Sequence, residues 1–359
     1  MSAPAPGDAV GTCPSCASPI APSDAFCEAC GAELVPVGVA IDTDQVVDPG
    51  APRTQLIDGV GAMAVTCHLC GAAIADDGFC SVCGQRARSP REHWTETPAT
   101  WVGGVCDRGV VHPHNEDAMS LRVVGTLAVL VVCDGVTTAP ESDRAALAGS
   151  RAAAALLAAE TPPTGSVAGR LTDWQQRHAS ACRAANAEAV AVAHALGDPP
   201  EPPSCTYVAA VVEADLVTVA WCGDSRAYWL ADDGSNSIAL SLDHSLGTEM
   251  IAAGRTREEA EADPSCHTIT RWLGADSIDP TPEMRSVAID RPGWVLVVSD
   301  GMWNYASTLA ELAGLITAAE AGGAVGPTGI AESLAGFANA EGGHDNVTVA
   351  LARCEPQLP

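Results

Sequence analysis

Short runs of apolar residues, separated by polar or turn-forming residues, mark the last two thirds of the chain. Runs of this length, rich in valine, alanine and leucine, are typical of β-strands that are buried on both faces. We therefore predict strands at 127–133, 207–212, 216–221, 227–230, 295–299 and 347–351.

The segments between these runs predict hairpins and covering helices. Residues 213–215 separate two strands, and an Asp-Asp-Gly turn at 232–234 follows a third. Such short connections join antiparallel strands. Alanine-rich stretches predict a layered α/β (α+β) sandwich, because helices of this length cover the faces of a sheet. The helices are predicted at 144–159, 173–196, 308–319 and 329–340.

Eight cysteines near the N-terminus form four Cys-x-x-Cys pairs, in two sets of matching spacing. Two such pairs present four thiolates to one tetrahedral zinc ion, and so short a segment needs the ion in order to fold. A redox-active or disulfide pair is the alternative, which the fourfold regularity disfavours. We predict two structural Zn²⁺ ions, one on Cys13, Cys16, Cys27 and Cys30 and one on Cys67, Cys70, Cys80 and Cys83.

The cysteine pairs also divide the chain into modules. Two zinc ribbons are predicted, and four-thiolate sites of this kind are structural. The cysteines from Cys106 onward show no pairing pattern and are expected to be ordinary buried residues. The predicted modules are ribbons at 11–33 and 64–86, linkers at 34–63 and 87–98, and one α/β domain at 99–355.

Charge excludes some classes of partner. The formal net charge is −27, without a compensating basic segment. Nucleic-acid phosphates and anionic lipid surfaces repel such a chain, so neither a nucleic-acid nor a membrane partner is predicted. Acidic side chains either keep a protein in solution or collect divalent cations, and charge alone leaves both possibilities open.

All 18 basic residues are arginine. P-loop NTPases and protein kinases use a lysine on the phosphates, and Schiff-base enzymes need a lysine amine, so the usual forms of these mechanisms are excluded. No signal peptide is recognisable, and no apolar run reaches the roughly 18 residues of a membrane helix. A cytoplasmic location is therefore expected, where disulfides are rare.

Four aspartates stand at or near the ends of predicted strands. Asp134 and Asp300 each follow an apolar strand and precede glycine, whereas Asp345 and Asp117 precede apolar segments. A single Asp-Gly pair is typical of a turn. Two matching pairs with two further carboxylates favour a bound cation, because an uncompensated carboxylate at a sheet end is costly.

Eight short motifs follow one another in order over about residues 100–354. Each is weak alone, but the ordered set resembles the phosphatase 2C (PPM) family of protein phosphatases, and the chain is identified as a bacterial-type member. The motifs are Asp-Arg-Gly-Val-Val-His-Pro-His-Asn-Glu-Asp-Ala at 107–118, Val-Val-Cys-Asp-Gly-Val at 131–136, Ser-Cys-Thr at 204–206, Gly-Asp-Ser-Arg-Ala-Tyr at 223–228, Leu-Asp-His-Ser at 242–245, Thr-Arg-Trp-Leu-Gly at 270–274, Ser-Asp-Gly-Met-Trp at 299–303 and Gly-His-Asp-Asn-Val-Thr at 343–348.

The resemblance implies a fold of two stacked, mostly antiparallel sheets flanked by helices, and a binuclear Mn²⁺ or Mg²⁺ centre. Oxygen ligands suit these hard ions better than zinc. Asp224 resembles a position that helps to hold a third ion in bacterial relatives. Carried over by position, the catalytic metal ligands are Asp117, Asp134, Asp300 and Asp345, with the backbone carbonyl of Gly135.

The implied reaction is hydrolysis of phosphoserine and phosphothreonine in proteins by a hydroxide that bridges the two ions.

One position departs from the family pattern: His112 stands where an arginine normally binds the substrate phosphate. Histidine offers fewer donors and is often neutral, so a weaker or pH-dependent phosphate contact is predicted. Arg108 is an alternative phosphate ligand, and a plain loop role for His112 is another. Val136 replaces a histidine of some relatives, which leaves water or His244 as the leaving-group acid.

The predicted function is a metal-dependent protein serine/threonine phosphatase that acts on targets of a serine/threonine kinase. The alternative is a catalytically weak scaffold or sensor that recruits partners through its zinc ribbons. His112 favours this alternative, and the complete set of aspartates opposes it. Since the N-terminal part is acidic, its ribbons are expected to dock proteins. Residues 246–267 are expected to form a flap beside the active site.

Overall fold

The computed structural model describes residues 11–12, 19–20, 66–67, 70–75, 77–84, 86–159, 162–213 and 215–355. The chain divides into two compact units, Met1–Arg91 and Glu92–Pro359. The cysteines of the first predicted ribbon and the 34–63 linker lie outside the described residues.

The described backbone of the first unit consists of minimal antiparallel pairings. Strand β1 (Gly11–Thr12) pairs with β2 (Pro19–Ile20). Isolated antiparallel bridges join residues around the two Cys-x-x-Cys turns of the second ribbon. Such short strand pairings bury almost no apolar surface. The fold of this ribbon therefore needs a metal ion bound by its cysteines.

The second unit contains the remaining elements of secondary structure. Its strands are β3 (His93–Ala99), β4 (Val102–Asp107), β5 (Ala118–Val124), β6 (Leu127–Cys133), β7 (Ser204–Cys205), β8 (Tyr207–Val212), β9 (Leu216–Cys222), β10 (Arg226–Ala231), β11 (Ile238–Ala239), β12 (Leu273–Gly274), β13 (Glu283–Ala288), β14 (Gly293–Val298) and β15 (Val347–Cys354). Its helices are α1 (Ser142–Ala159), α2 (Val167–Ala195), α3 (Leu246–Ala252), α4 (Arg257–Glu261), α5 (Asp300–Trp303), α6 (Leu309–Ala321) and α7 (Gly326–Ala340).

Two antiparallel sheets form the centre of this unit. One has the order β11-β10-β14-β15-β4-β3 and the other β13-β9-β8-β6-β5. Side chains of both sheets, such as Leu130, Val219, Trp229 and Val295, share one buried cluster. The inner faces of the two sheets therefore pack against each other.

Helices cover the outer faces. Trp174 of α2 and Leu157 of α1 pack on the five-stranded sheet, and Leu334 of α7 packs on the six-stranded sheet. The predicted sandwich of two mostly antiparallel sheets flanked by helices is confirmed. Of the helices described, none alone has the length and hydropathy to cross a membrane; α6 and α7 together would, but they are bent by 116°.

The two largest differences from the predicted boundaries involve an edge strand and the second helix. Residues 93–98, predicted as linker, belong to β3 at the edge of the six-stranded sheet. This strand is only partly buried, so no apolar run reveals it. Helix α2 begins at Val167 rather than at 173, because Ser166 caps it by accepting a hydrogen bond from the Gly169 N–H.

The expected flap, residues 246–267, contains α3 and α4. Its base is closed by backbone hydrogen bonds of 2.9 Å from Leu246 N–H to Thr268 O and from Gly247 N–H to Cys266 O. The segment is therefore anchored at both ends to the same place on the domain. We call residues 246–267 the flap below.

Candidate active site

Strand register brings two of the predicted metal ligands together in the five-stranded sheet. Ala118 of β5 pairs with Cys133 of β6. Asp117 precedes β5 and Asp134 follows β6, so the two carboxylates lie at the same end of neighbouring strands. The hydroxyl of Thr206 accepts a 3.0 Å hydrogen bond from the Asp134 N–H and fixes this turn.

The same relationship holds in the six-stranded sheet. Val298 of β14 pairs with Arg226 of β10. Asp300 lies two residues beyond Val298 and Asp224 two residues before Arg226, so they meet at one edge. Asp345 precedes β15 at this edge. The other four predicted aspartates all lie close enough to Asp134 to raise the pKa of its carboxyl group.

Asp117 lies at the centre of this group and is fully buried. Its Oδ2 accepts hydrogen bonds of 2.7 Å from Ser299 Oγ and from Thr348 Oγ1. Burial raises the pKa of Asp117 to about 7, although both hydrogen bonds favour the ionised form. Loss of water around the carboxyl group therefore outweighs the two donors.

Burial also raises the pKa values of the neighbouring carboxyl groups. The pKa of Asp134 and that of Asp224 lie well above the usual range, first because of burial and then because of nearby carboxylates. Asp134 nevertheless keeps some exposed surface. Burial, followed by repulsion from Asp345, raises the pKa of Asp300 to about 6. A bound cation would remove this penalty, because it stabilises the ionised carboxylates.

The donor set fits hard divalent cations. Among the described residues, no hydrogen-bond donor reaches the buried Oδ1 of Asp300, and such an oxygen is costly unless a cation compensates it. No three acidic residues in the described part of the chain bring one oxygen each within 4.8 Å of one another. The carboxylate oxygens of the described aspartates are thus not gathered around a single point.

Gly135 packs too closely for any other residue. Its N–H donates a 3.2 Å hydrogen bond to the Glu116 carbonyl. A Cβ atom on Gly135 would lie 2.7 Å from that same oxygen. The glycine thus allows the turn after Asp134 to approach the loop that leads to Asp117.

His112 lies between two carboxylates. Its Nδ1 is 3.9 Å from Glu116 Oε2, and its Nε2 is 3.5 Å from Asp345 Oδ1. The side chain is only 19% exposed, so it lies against the site. Arg108, the alternative phosphate ligand, donates from its guanidinium to the backbone carbonyl of His112.

One side chain clamps the loop that carries His112. Asn346 Nδ2 donates to the carbonyls of Arg108 at 2.7 Å and His114 at 2.9 Å, and its Oδ1 accepts from the Glu116 N–H at 2.7 Å. Asn346 is buried. Three hydrogen bonds from one amide fix both the amide orientation and the path of the loop.

Both ring nitrogens of His244 contact residues outside the aspartate group. Its Nδ1 accepts a 3.0 Å hydrogen bond from the Gly223 N–H. Its Nε2 lies 3.0 Å from an Arg271 nitrogen and 3.3 Å from Glu283 Oε1. Because both ring nitrogens have partners, His244 does not offer a free proton donor to the aspartate cluster.

The second ribbon forms a four-thiol site. The Sγ atoms of Cys67, Cys70, Cys80 and Cys83 all lie within 4.8 Å of one another, with separations of 3.4 to 3.6 Å for three pairs. Ligands about 2.3 Å from a tetrahedral zinc ion lie about 3.8 Å apart. Backbone N–H groups of Cys83 and Val82 lower the pKa of Cys80 to about 6, which favours the thiolate. This geometry fits one Zn²⁺.

Comparison with known protein families agrees with both sites. Residues 111–318, more than half of the chain, match the model of protein phosphatase 2C. The chain belongs to the protein phosphatase 2C family. Residues 13–84 match the double zinc ribbon, so this phosphatase 2C family member combines the two modules predicted from its sequence.

Relatives of this family member include bacterial phosphatases. Protein phosphatase PhpP of Streptococcus pneumoniae is 35% identical over 146 residues, which cover 40% of this chain and 55% of PhpP. The chain thus spans about half the length of this relative. The serine/threonine phosphatase stp of Listeria innocua is 28% identical over 252 residues, covering 68% of this chain and 92% of that protein.

A solved structure shows the shared fold. The catalytic domain of the serine/threonine protein phosphatase PstP, in complex with two manganese ions, superposes with a TM-score of 0.53 at 23% identity. The superposition covers 73% of this chain and 99% of that domain. The phosphatase 2C fold therefore extends over nearly three quarters of this chain.

Three residues that build the site were not singled out from the sequence. Ser299, Asn346 and Thr348 lie within the motifs that contain Asp300 and Asp345. Their role depends on partners far away in the chain, such as Asp117 for Ser299. Their position next to Asp300 and Asp345 was the available signal.

Proposed function

We propose that this chain is a metal-dependent protein phosphatase that hydrolyses phosphoserine and phosphothreonine in proteins. The observation that carries the proposal is the group of five aspartates at one edge of the sandwich, four of which have a raised pKa, mainly because of burial. Membership of the protein phosphatase 2C family supports the reaction class.

The carboxylates are proposed to hold two Mn²⁺ or Mg²⁺ ions, with a third where Asp224 contributes. The likeness of this fold to that of a solved phosphatase domain in complex with two manganese ions supports more than one ion. When bound, the ions supply a water of lowered pKa as nucleophile and neutralise the phosphoryl oxygens. The proposed ligands are Asp117, Asp134, the Gly135 carbonyl, Asp300 and Asp345, with Asp224 for the third ion.

The chain's own side chains have separate proposed roles. Ser299 and Thr348 donate to Oδ2 of Asp117 and so orient this carboxylate towards the ions. His112, held by the clamped loop, contacts the substrate phosphate. Val136 provides no proton and His244 is engaged, so the leaving alkoxide takes its proton from water.

The zinc ribbons are proposed to dock protein partners and to hold one structural Zn²⁺ each. For the second ribbon the four converging thiols support this assignment, and for the first the cysteine spacing supports it. The substrates are proposed to be proteins phosphorylated by a serine/threonine kinase.

Hydrolysis of a phosphothreonine peptide tests the proposal. Turnover should require Mn²⁺ or Mg²⁺, stop with EDTA, and be lost in Asp134→Asn and Asp300→Asn. The exposed Asp198 provides a matched control, since Asp198→Asn should keep full activity. Absence of turnover in wild-type protein that still binds Mn²⁺ by calorimetry would reject the enzyme and support the scaffold alternative, which the His112 substitution favours.

A further inference from the structure

A single helical turn joins two aspartates of the site. Helix α5 begins at Asp300 and ends at Trp303, which is 5% exposed. The indole Nε1–H of Trp303 donates a 2.9 Å hydrogen bond to the backbone carbonyl of Asp224. The position of the Asp224 turn therefore depends on the same short helix that presents Asp300.

The indole ring also packs against the residue that ends this turn. The guanidinium carbon of Arg226 lies 3.6 Å from the ring centroid of Trp303, a cation–π contact. Arg226 donates hydrogen bonds of 2.8 and 2.6 Å to the two carboxylate oxygens of Asp243. Trp303 thus holds the Asp224–Arg226 turn through its N–H group and through its ring.

The flap reaches the same tryptophan. His267, the last residue of the flap, has its ring centroid 6.0 Å from that of Trp303, with an angle of 35° between the planes. This separation lies within the range of favourable aromatic pairs. The backbone hydrogen bond between Gly247 and Cys266 closes the flap base directly beside His267. A displacement of the flap base therefore displaces His267 relative to the indole.

We propose that Trp303 is a positioning residue that couples the flap to the metal ion held at Asp224. The inference rests on the proposed function, because it takes Asp224 as a metal ligand. Trp303 fixes the Asp224 turn on one side and contacts the flap base on the other. By reciprocity of coupled equilibria, an ion at Asp224 steadies the flap, and an ordered flap tightens the binding of that ion.

Mn²⁺ binding by Trp303→Phe tests the first half of this coupling. Phenylalanine keeps an aromatic ring but lacks the N–H donor to the Asp224 carbonyl. Trp294→Phe is the matched control, because Trp294 is also buried in the six-stranded sheet but packs on Arg353. Calorimetry should show one Mn²⁺ site weakened about tenfold in Trp303→Phe and no site weakened in Trp294→Phe. Equal Mn²⁺ affinities in Trp303→Phe and wild type, or equal losses in both variants, would overturn the inference.

Hydrogen exchange of the flap tests the second half without altering Trp303. In the wild type, backbone amides of residues 246–267 should exchange more slowly with Mn²⁺ than with EDTA. This difference should be smaller in His267→Ala, a substitution at an exposed position. A wild type that binds Mn²⁺ and hydrolyses the peptide, yet shows the same flap exchange with and without Mn²⁺, overturns this inference alone. A wild type that neither binds Mn²⁺ nor hydrolyses the peptide overturns the proposed function with it.

Discussion

Ser299 Oγ lies 2.7 Å from Oδ2 of Asp117, although the two residues are 182 positions apart in the chain. Ser299 follows β14 in one sheet, and Asp117 precedes β5 in the other. The same Oγ accepts a 2.9 Å hydrogen bond from the Thr348 N–H. This serine therefore connects the two sheets at the point where the carboxylates converge.

Removal of this hydroxyl should impair metal binding more than folding. Ser299→Ala removes the hydroxyl donor of Ser299 from Oδ2 of Asp117 and leaves that of Thr348. The orientation of the carboxylate is then less tightly restrained. We expect Mn²⁺ affinity to fall about 10- to 100-fold, as measured by activity over a Mn²⁺ titration. Ser333→Ala is the control, because the exposed Ser333 hydroxyl only donates within its own helix. Unchanged Mn²⁺ dependence in Ser299→Ala would contradict this role.

Because His112 stands at the phosphate position, its replacement by arginine is predicted to improve substrate binding. Arginine offers a charged, bidentate donor group where His112 offers one or two N–H donors. We expect His112→Arg to lower the KM for a phosphothreonine peptide, and His112→Ala to raise it, with smaller changes in kcat. His114→Ala, at an exposed neighbouring position, should leave KM unchanged. Equal KM values in all four proteins would show that His112 does not contact the phosphate.

The clamp on the active-site loop predicts a stability loss. Asn346→Ala removes three hydrogen bonds and leaves buried backbone groups without their partner, which we expect to cost about 3 kcal/mol of unfolding free energy. Asn186→Ala is a milder comparison, because its Oδ1 accepts a single hydrogen bond from the Gly274 N–H. Urea denaturation of the metal-free proteins measures both. Equal losses in the two variants would argue against a special role of Asn346.

Zinc content tests the ribbon sites separately from catalysis. Cys67→Ser together with Cys70→Ser removes two of the four converging thiolates, so the protein should retain one Zn²⁺ of the two proposed. Metal analysis after dialysis measures the stoichiometry. Peptide hydrolysis should persist, since a four-thiolate site is structural. Loss of hydrolysis together with zinc would instead assign the ribbon a part in the reaction.

A buried histidine far from the carboxylates predicts a pH-dependent contribution to stability. His178 is 1% exposed, and its Nε2 lies 2.9 Å from Thr218 Oγ1. Burial lowers the pKa of His178 to about 4, below the value of about 6.5 in unfolded chains. The folded state therefore favours the neutral ring, so this contribution is present above about pH 6.5 and is lost as the pH falls towards 4.

The difference between the folded and unfolded pKa corresponds to about 3 kcal/mol of unfolding free energy over this range. Urea denaturation between pH 4 and pH 7 measures it. His178→Gln lacks the titrating ring, so its stability should decline less steeply towards acid than that of the wild type. Parallel curves for the two proteins would show that His178 does not titrate on unfolding.

Local patterns in the sequence determined much of this protein. The apolar run at 127–133 and the run at 207–212 form strands with the predicted bounds, because burial on both faces demands a continuous apolar segment. The Cys-x-x-Cys spacing likewise predicted the four converging thiols of the second ribbon. Four of the aspartates were recognisable because they stand beside apolar segments, and Asp224 was recognisable from the family motif that contains it.

Only the tertiary structure determines how those elements are arranged around the site. Strand β3 carries no apolar run, and its place in the sheet depends on pairing with β4. The hydrogen bond from Ser299 to Asp117 joins the two sheets, and the one from Trp303 to Asp224 joins the ends of two strands in one sheet. Spacing along a chain reports which face of an element is buried, whereas register and sheet packing decide which ends meet. The sequence therefore indicated the ligands, and the packing of two sheets determined the residues that hold and orient them.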